Sequence, residues 1–163
     1  MKKYSIGIDY GTLSARALLV DLEKGTEVAV AEFAYPHGVI EGKFLDGSEL
    51  EKTTALQHPQ DYIDALCNTL KEIFEKSGVA PEEVSGIGLD FTSCTVLPVT
   101  EDGTPLCFLD EYKSNPQAYV KLWKHHSAQP EADEITALAE AENAKWLDIY
   151  GGKVSSEWIF LKI

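Results

Sequence analysis

The stretch Tyr4-Ser5-Ile6-Gly7-Ile8-Asp9-Tyr10-Gly11-Thr12-Leu13-Ser14-Ala15-Arg16-Ala17 decides how the rest of the chain is read. Tyr4 to Asp9 is short and apolar enough for a buried strand. Leu13 to Asp21 has the same character, with Ala17, Leu18, Leu19 and Val20 apolar on both faces. Tyr10-Gly11-Thr12 then reads as a tight turn, with Gly11 supplying backbone freedom. After a second turn at Glu23 to Thr26, Glu27 to Phe33 alternates like a third strand. The chain therefore opens as a three-stranded meander.

Downstream the period changes. Pro36 to Gln57 is polar and contains glycine without a clear period, which reads as a long loop or irregular insertion, a feature more often functional than idle. Pro59 to Lys76 carries Tyr62, Ile63, Leu66, Leu70, Ile73 and Phe74 at helical spacing, opened by Pro59 and stopped by Gly78. Val84 to Phe91 and Val96 to Val99 read as strands. Asn115-Pro116 predicts a helix start with Tyr119, Leu122, Trp123 and His126 along it, and Gln129-Pro130 another with Ile135, Leu138 and Ala139. Strands first, then a helix, then more strands indicate α/β architecture with a mixed sheet. Ser155-Ser156-Glu157 resembles one more helix start, followed by Trp158, Ile159, Phe160, Leu161 and Ile163. A fresh apolar helix is an unusual place for a domain to stop, so the expectation is a chain cut from a longer one.

Composition bounds the class. The chain has 163 residues, 44% hydrophobic and 25% charged, an ordinary globular balance with room for a core. No apolar run approaches the roughly 20 residues a membrane helix needs, and Met1 to Ser5 lacks the apolar stretch of a secretory leader. Cys67, Cys94 and Cys107 are odd in number and show no CxxC spacing, as reduced thiols in a cytoplasmic protein would. A net charge of −13 repels nucleic acid and anionic membranes, and equally ATP. A nucleotide site here needs Mg²⁺, backbone N–H groups and local cations to overcome that field.

Three stretches carry candidate chemistry. In Asp9-Tyr10-Gly11-Thr12 a carboxylate at a strand end can hold Mg²⁺, a glycine lets backbone approach phosphate, and a threonine hydroxyl can bond a phosphate oxygen, with Arg16 on the next strand. The same tetrapeptide serves equally as a plain hairpin turn. It is neither a Walker A loop nor GxGxxG. In Gly88-Leu89-Asp90-Phe91-Thr92-Ser93-Cys94-Thr95 an apolar strand runs into small hydroxyl residues, where α/β sheets often border ligands, though Ser93 and Thr95 would also satisfy backbone groups at a bend. Cys94 reads as a small core residue rather than a nucleophile. In Tyr119 to His126, Trp123 is either core or a flat wall beside a sugar. The adjacent His125 and His126 point apart on a helix, which argues for solvated or capping roles and against a shared metal. Glu131 to Glu142 reads as a solvated acidic helix face.

Together, Gly7 to Ala17, Ala55 to Tyr62, Gly88 to Thr95, Ala118 to His126 and Gly151 to Trp158 resemble the FGGY carbohydrate kinases, and within them the branch that phosphorylates L-ribulose in arabinose catabolism. The first segment is shared with the wider actin-like ATPases; the other four resemble that branch. The resemblance implies two actin-like (ribonuclease H-like) domains with MgATP and sugar between them. Residues 1–163 would be part of the first, sugar-binding domain, with the C-terminal ATP-binding domain absent. It implies Asp9 facing Mg²⁺, Gly11, Thr12 and Arg16 around phosphate, and Thr92, Ser93, Cys94 and Thr95 with Trp123 around the pentulose, Ser93 being the foremost contact. It places the general base beyond residue 163, so that no catalytic residue lies in this chain and the chain alone is inactive, and it allows a homodimer. Tyr10 stands where phenylalanine is usual, and Gln117 where histidine is expected. A kinase of xylulose, glycerol or a related polyol, and a non-catalytic actin-like domain, are the competing readings.

Overall fold

The computed structural model describes residues 3–163; Met1 and Lys2, part of the stretch inspected for a leader, lie outside the described residues. The chain packs as two units, one of residues up to Val39 with His58–Thr92, the other of Ile40–Gln57 with Ser93–Ile163.

The first unit is the predicted meander and helix. Strands β1 (Tyr4–Tyr10), β2 (Ser14–Asp21) and β3 (Thr26–Ala34) pair antiparallel. Helix α1 (Pro59–Ser77) leads to β5 (Val84–Phe91), the fourth strand of the sheet, which pairs parallel to β1 and gives the order β3-β2-β1-β5. The sheet is mixed, as expected. Ile6 and Ile8 of β1, Ala17 and Leu19 of β2 and Ala31 of β3 form its buried face against Ile73, with Leu66, Leu70 and Phe74 of α1 around them. These positions follow the strand period of two and the helix period of 3.6 at once, so the pattern admits one register.

The helix ends where its chemistry dictates. Pro59 occupies its first turn, the His58 side chain accepts from Gln60 N–H, and Gly78 closes it in the left-handed conformation, φ 67°, donating to the Phe74 carbonyl. Buried Asp61 in the first turn accepts the backbone N–H of His37 at 3.2 Å and its ring Nδ1 at 2.6 Å.

The second unit corrects several expectations. Ile40 to Ala55 is irregular, as expected, but it is packed: Ile40 and Phe44 are buried with Leu56 and Tyr119, and β4 (Leu56–Gln57) pairs antiparallel with β6 (Val120–Lys121). No α-helix starts at Asn115. A 3₁₀ turn over Pro116–Ala118 gives way to extended chain, because Tyr119, Val120 and Leu122 are all drawn into the core while Lys121 pairs with both Leu56 and Val96. Tyr119 and Trp123 therefore share no helix face. Val96–Val99 is held by single bridges, Val96 to Lys121 and Val99 to Pro105, rather than as a strand of its own. Helix α2 (Gln129–Ala141) forms as predicted, and α3 (Trp146–Ile149) follows. Ser155 to Ile163 yields a 3₁₀ turn at Ile159–Leu161 and no α-helix. Ser156, one of the hydroxyls read as a cap, spends its side chain on Gln129 and His126 instead.

Candidate functional site

In the first unit the parallel register of β1 with β5 sets Gly7 beside Gly88 and Asp9 beside Asp90. Adjacent strands lie about 4.8 Å apart, so two carboxylates of like charge stand side by side on the face of the sheet opposite α1. Both are exposed. A Cβ built on Gly7 or Gly88 meets nothing within 4 Å, so packing does not demand glycine there. The missing side chains open the floor of a groove of about 410 Å³ lined by Gly7, Asp9, Arg16, Leu18, Gly88 and Asp90 among others.

Arg16 sits across from Asp9 on β2 and lines this groove. Its guanidinium is bonded to Glu32 at 3.0 Å, and Ser14 Oγ donates to the other oxygen of the same carboxylate at 2.9 Å. Glu32 raises the Arg16 pKa, first by that hydrogen bond, and Arg16 holds Glu32 below the usual carboxylate range. Among the described residues neither Asp9 nor Asp90 has an ion pair; Asp90 accepts only the N–H of Phe91. Asp9 feels the Arg16 charge without a direct ion pair, and two adjacent hard oxygen donors suit a divalent cation such as Mg²⁺.

Gly11 and Thr12 form the turn after β1. The Gly11 N–H donates to the Ser14 carbonyl, and a Cβ on Gly11 would lie 3.1 Å from that same oxygen. The turn thus requires glycine for its close approach, not for a positive φ. Thr92 donates its N–H to the Tyr10 carbonyl at 3.3 Å, which brings the end of β5 to the same end of the sheet.

Ser93, Cys94, Thr95 and Trp123 belong to the second unit. Ser93 is exposed, Cys94 takes a left-handed backbone, φ 52°, and Thr95 Oγ1 donates to the Ser93 carbonyl. Trp123 is 39% exposed, so its ring is not consumed by the core. Gln117 is exposed, its N–H held by Asn115 Oδ1. His125 departs from its expected solvated role: it is buried, with Nδ1 accepting Ala55 N–H at 3.2 Å and Nε2 bonded to Ser127 Oγ. Burial first, then the charges of Lys121 and Lys162, lower its pKa to about 4, so it is neutral. His126 pairs with Ser156 and Glu157.

His37, His58 and Asp61 bring three ligand atoms, two imidazole nitrogens and a carboxylate oxygen, within 4.8 Å of one another. The two rings are stacked, 4.3 Å apart and 16° from parallel. Imidazole lone pairs lie in the ring planes, so an ion in line with one ring lies far out of the plane of the other. Both Nδ1 atoms are moreover engaged, with Asp61 and with Gln60 N–H. The cluster is the cap of α1.

Residues 4–151 match the model of the FGGY family of carbohydrate kinases, N-terminal domain. The chain belongs to the FGGY family. Similar relatives include the ribulokinases of Shouchella clausii (strain KSM-K16), 52% identical over 100% of this chain, and of Mycolicibacterium smegmatis, 51% identical over 98%. In each case the FGGY chain spans 29% of the relative's length. Among solved structures, a xylulose kinase from Rhodospirillum rubrum superposes with a TM-score of 0.61 at 21% identity, covering 86% of this chain and 24% of that one. A kinase from Brucella ovis described as a xyloylose kinase gives 0.66 at 21%, covering 95% and 27%. At such identity the likeness establishes the fold, the actin-like class with its mixed sheet.

Sequence reasoning missed Asp90 as the neighbour of Asp9 and Glu32 as the partner of Arg16. The first had a signal: Gly7-Ile8-Asp9 and Gly88-Leu89-Asp90 repeat one Gly-apolar-Asp pattern at two strand ends. The second depends on the β2–β3 register, which sets Arg16 opposite Glu32.

Proposed function

We propose that the protein to which this chain belongs transfers the γ-phosphoryl group of ATP to the 5-hydroxyl of L-ribulose, and that residues 1–163 supply the sugar side of the site and its first phosphate loop. The observation that carries the reading is identity of about half of all positions with ribulokinases along the whole of this chain. The groove supports it. Asp9 and Asp90 would hold Mg²⁺, and Gly11, Thr12 and Arg16 would meet phosphate, with Glu32 competing for Arg16. Mg²⁺ would neutralise charge building on the transferred phosphoryl group. Ser93, flanked by Thr92, Cys94 and Thr95, would bond sugar hydroxyls, and Trp123 would offer an apolar wall. The sugar oxygen attacks phosphorus, the bond to ADP breaks, and the hydroxyl proton passes to a base outside these residues. Phosphoryl transfer is mostly positioning and charge stabilisation, so the 163 residues alone would not turn over. The setting in keeping with this chemistry is the cytoplasm; among the described residues no helix is long and apolar enough to cross a membrane.

The test is ADP release by the full-length protein with MgATP and L-ribulose, D-ribulose, xylulose or glycerol. Strong preference for L-ribulose, abolished at least about a hundredfold in Asp9→Asn, is expected, the loss being of the size seen when a transition-state charge contact is removed. Preference for xylulose or glycerol would discard the substrate while keeping the kinase. No sugar-dependent release would discard both.

A further inference from the structure

Lys162 is the most deeply buried cation described, 3% exposed. Its ammonium donates to the carbonyls of Cys94 at 2.8 Å, Leu122 at 2.8 Å and Trp123 at 2.9 Å, one acceptor for each of its three protons. No carboxylate pairs with it among the described residues, and burial depresses its pKa. Lys121 ties the same residue from the other side, donating from Nζ to the Lys162 carbonyl at 2.8 Å.

A buried ammonium without a counter-ion is costly and persists only when its donors are fully satisfied. As a source of stability an apolar side chain of the same length would serve as well. What the ammonium does that a methionine cannot is fix three carbonyls at one point. Two of them belong to Cys94, whose backbone is held in the left-handed region at φ 52°, and to Trp123. A non-glycine residue there is strained and needs its surroundings to hold it.

We infer that Lys162 is a positioning residue that sets the Ser93–Thr95 loop and Trp123 in fixed relation, and so governs affinity for the sugar. The inference rests on the reading above that these two segments line the sugar pocket. Lys162 touches no reacting atom in this scheme; it acts through the backbone of residues read as contacts of the sugar.

The experiment uses the full-length protein and its Lys162→Met variant, with two readouts. One is kinetic, the KM for L-ribulose and for ATP and kcat. The other needs no sugar: the rate of iodoacetamide alkylation at Cys94, followed on its own peptide by mass spectrometry, with buried Cys107 of the same unit as the control for unfolding. The expected result is an increase of about tenfold or more in KM for L-ribulose and in the Cys94 rate, with the KM for ATP and Cys107 unmoved, as removal of charge-assisted hydrogen bonds should give. An unchanged Cys94 rate overturns the pin itself. A faster Cys94 with unchanged sugar KM overturns the proposal differently, by showing that the loop is no wall of the pocket. Should Cys107 react as fast as Cys94, the variant is unfolded and the comparison passes to Lys162→Gln, which keeps amide donors; an intermediate Cys94 rate and sugar KM are then expected, and wild-type values for both refute the inference.

Discussion

Acidification should weaken the second unit through a single histidine. His125 is 3% exposed, accepts Ala55 N–H on Nδ1 and donates from Nε2 to Ser127 Oγ. The Nδ1 bond requires the neutral ring, because a protonated Nδ1 cannot accept, and the pKa falls from the ordinary 6.5 to about 4. The folded state thus binds the proton more weakly than the unfolded chain. The stabilisation is fully present above pH 6.5 and is lost as pH falls toward 4. Linkage with those two values gives a loss of about 2 kcal/mol between pH 7.5 and 5, and about 0.8 kcal/mol by pH 6. Asp46, Asp102 and Asp110 of the same unit all have pKa values below 3.8 and titrate outside this window. The control is His125→Asn, whose amide oxygen can take the place of Nδ1 but does not titrate. All three tryptophans, Trp123, Trp146 and Trp158, lie in the second unit, so their fluorescence during urea unfolding reports that unit alone. The wild type should lose about 2 kcal/mol more than the variant between pH 7.5 and 5. Parallel pH curves for the two proteins would refute the neutral, doubly bonded His125.

Two further outcomes follow from single atoms. Tyr35 Oη is buried without a hydrogen-bond partner among the described residues, so Tyr35→Phe should raise the stability of the first unit by about 1 kcal/mol, read by far-UV circular dichroism because that unit has no tryptophan. Gly11→Ala puts a Cβ 3.1 Å from the Ser14 carbonyl; the turn must shift, and the full-length protein should show a KM for ATP raised about tenfold with little change in KM for the sugar.

The sequence was most readable where side-chain pattern and backbone demand coincide. Helix α1 was legible almost to the residue, since Pro59, the apolar period and Gly78 speak for one element and all three act locally. Tyr119 to His126 misled because Tyr119, Leu122 and Trp123 fall at helical spacing by chance. The segment is extended over too few residues for a period of two to declare itself, and its pairing partners at Leu56 and Val96 are remote in sequence. The same division runs through the site. Asp9 and Gly11 announce themselves in one tetrapeptide, whereas Asp90 becomes its neighbour only through a parallel pairing that α1 makes possible, and Glu32 reaches Arg16 only through the β2–β3 register.

Lys162 marks the limit of such reading, and the reason is chemical. Its three partners are carbonyl oxygens, which every residue carries, so no pattern of residue types at positions 94, 122 and 123 could have named it. A carboxylate partner would have left a second charged residue to find. Backbone partners leave none, and they also change what substitution can do. Exchanging Cys94, Leu122 or Trp123 for other side chains leaves every acceptor in place, whereas exchanging Lys162 releases all three at once. Side-chain variants at those three positions should therefore alter contacts with the sugar one at a time, while loss of the Lys162 ammonium should act on the loop and on Trp123 together, and the effects of Lys162→Met and a substitution at Ser93 should be less than additive.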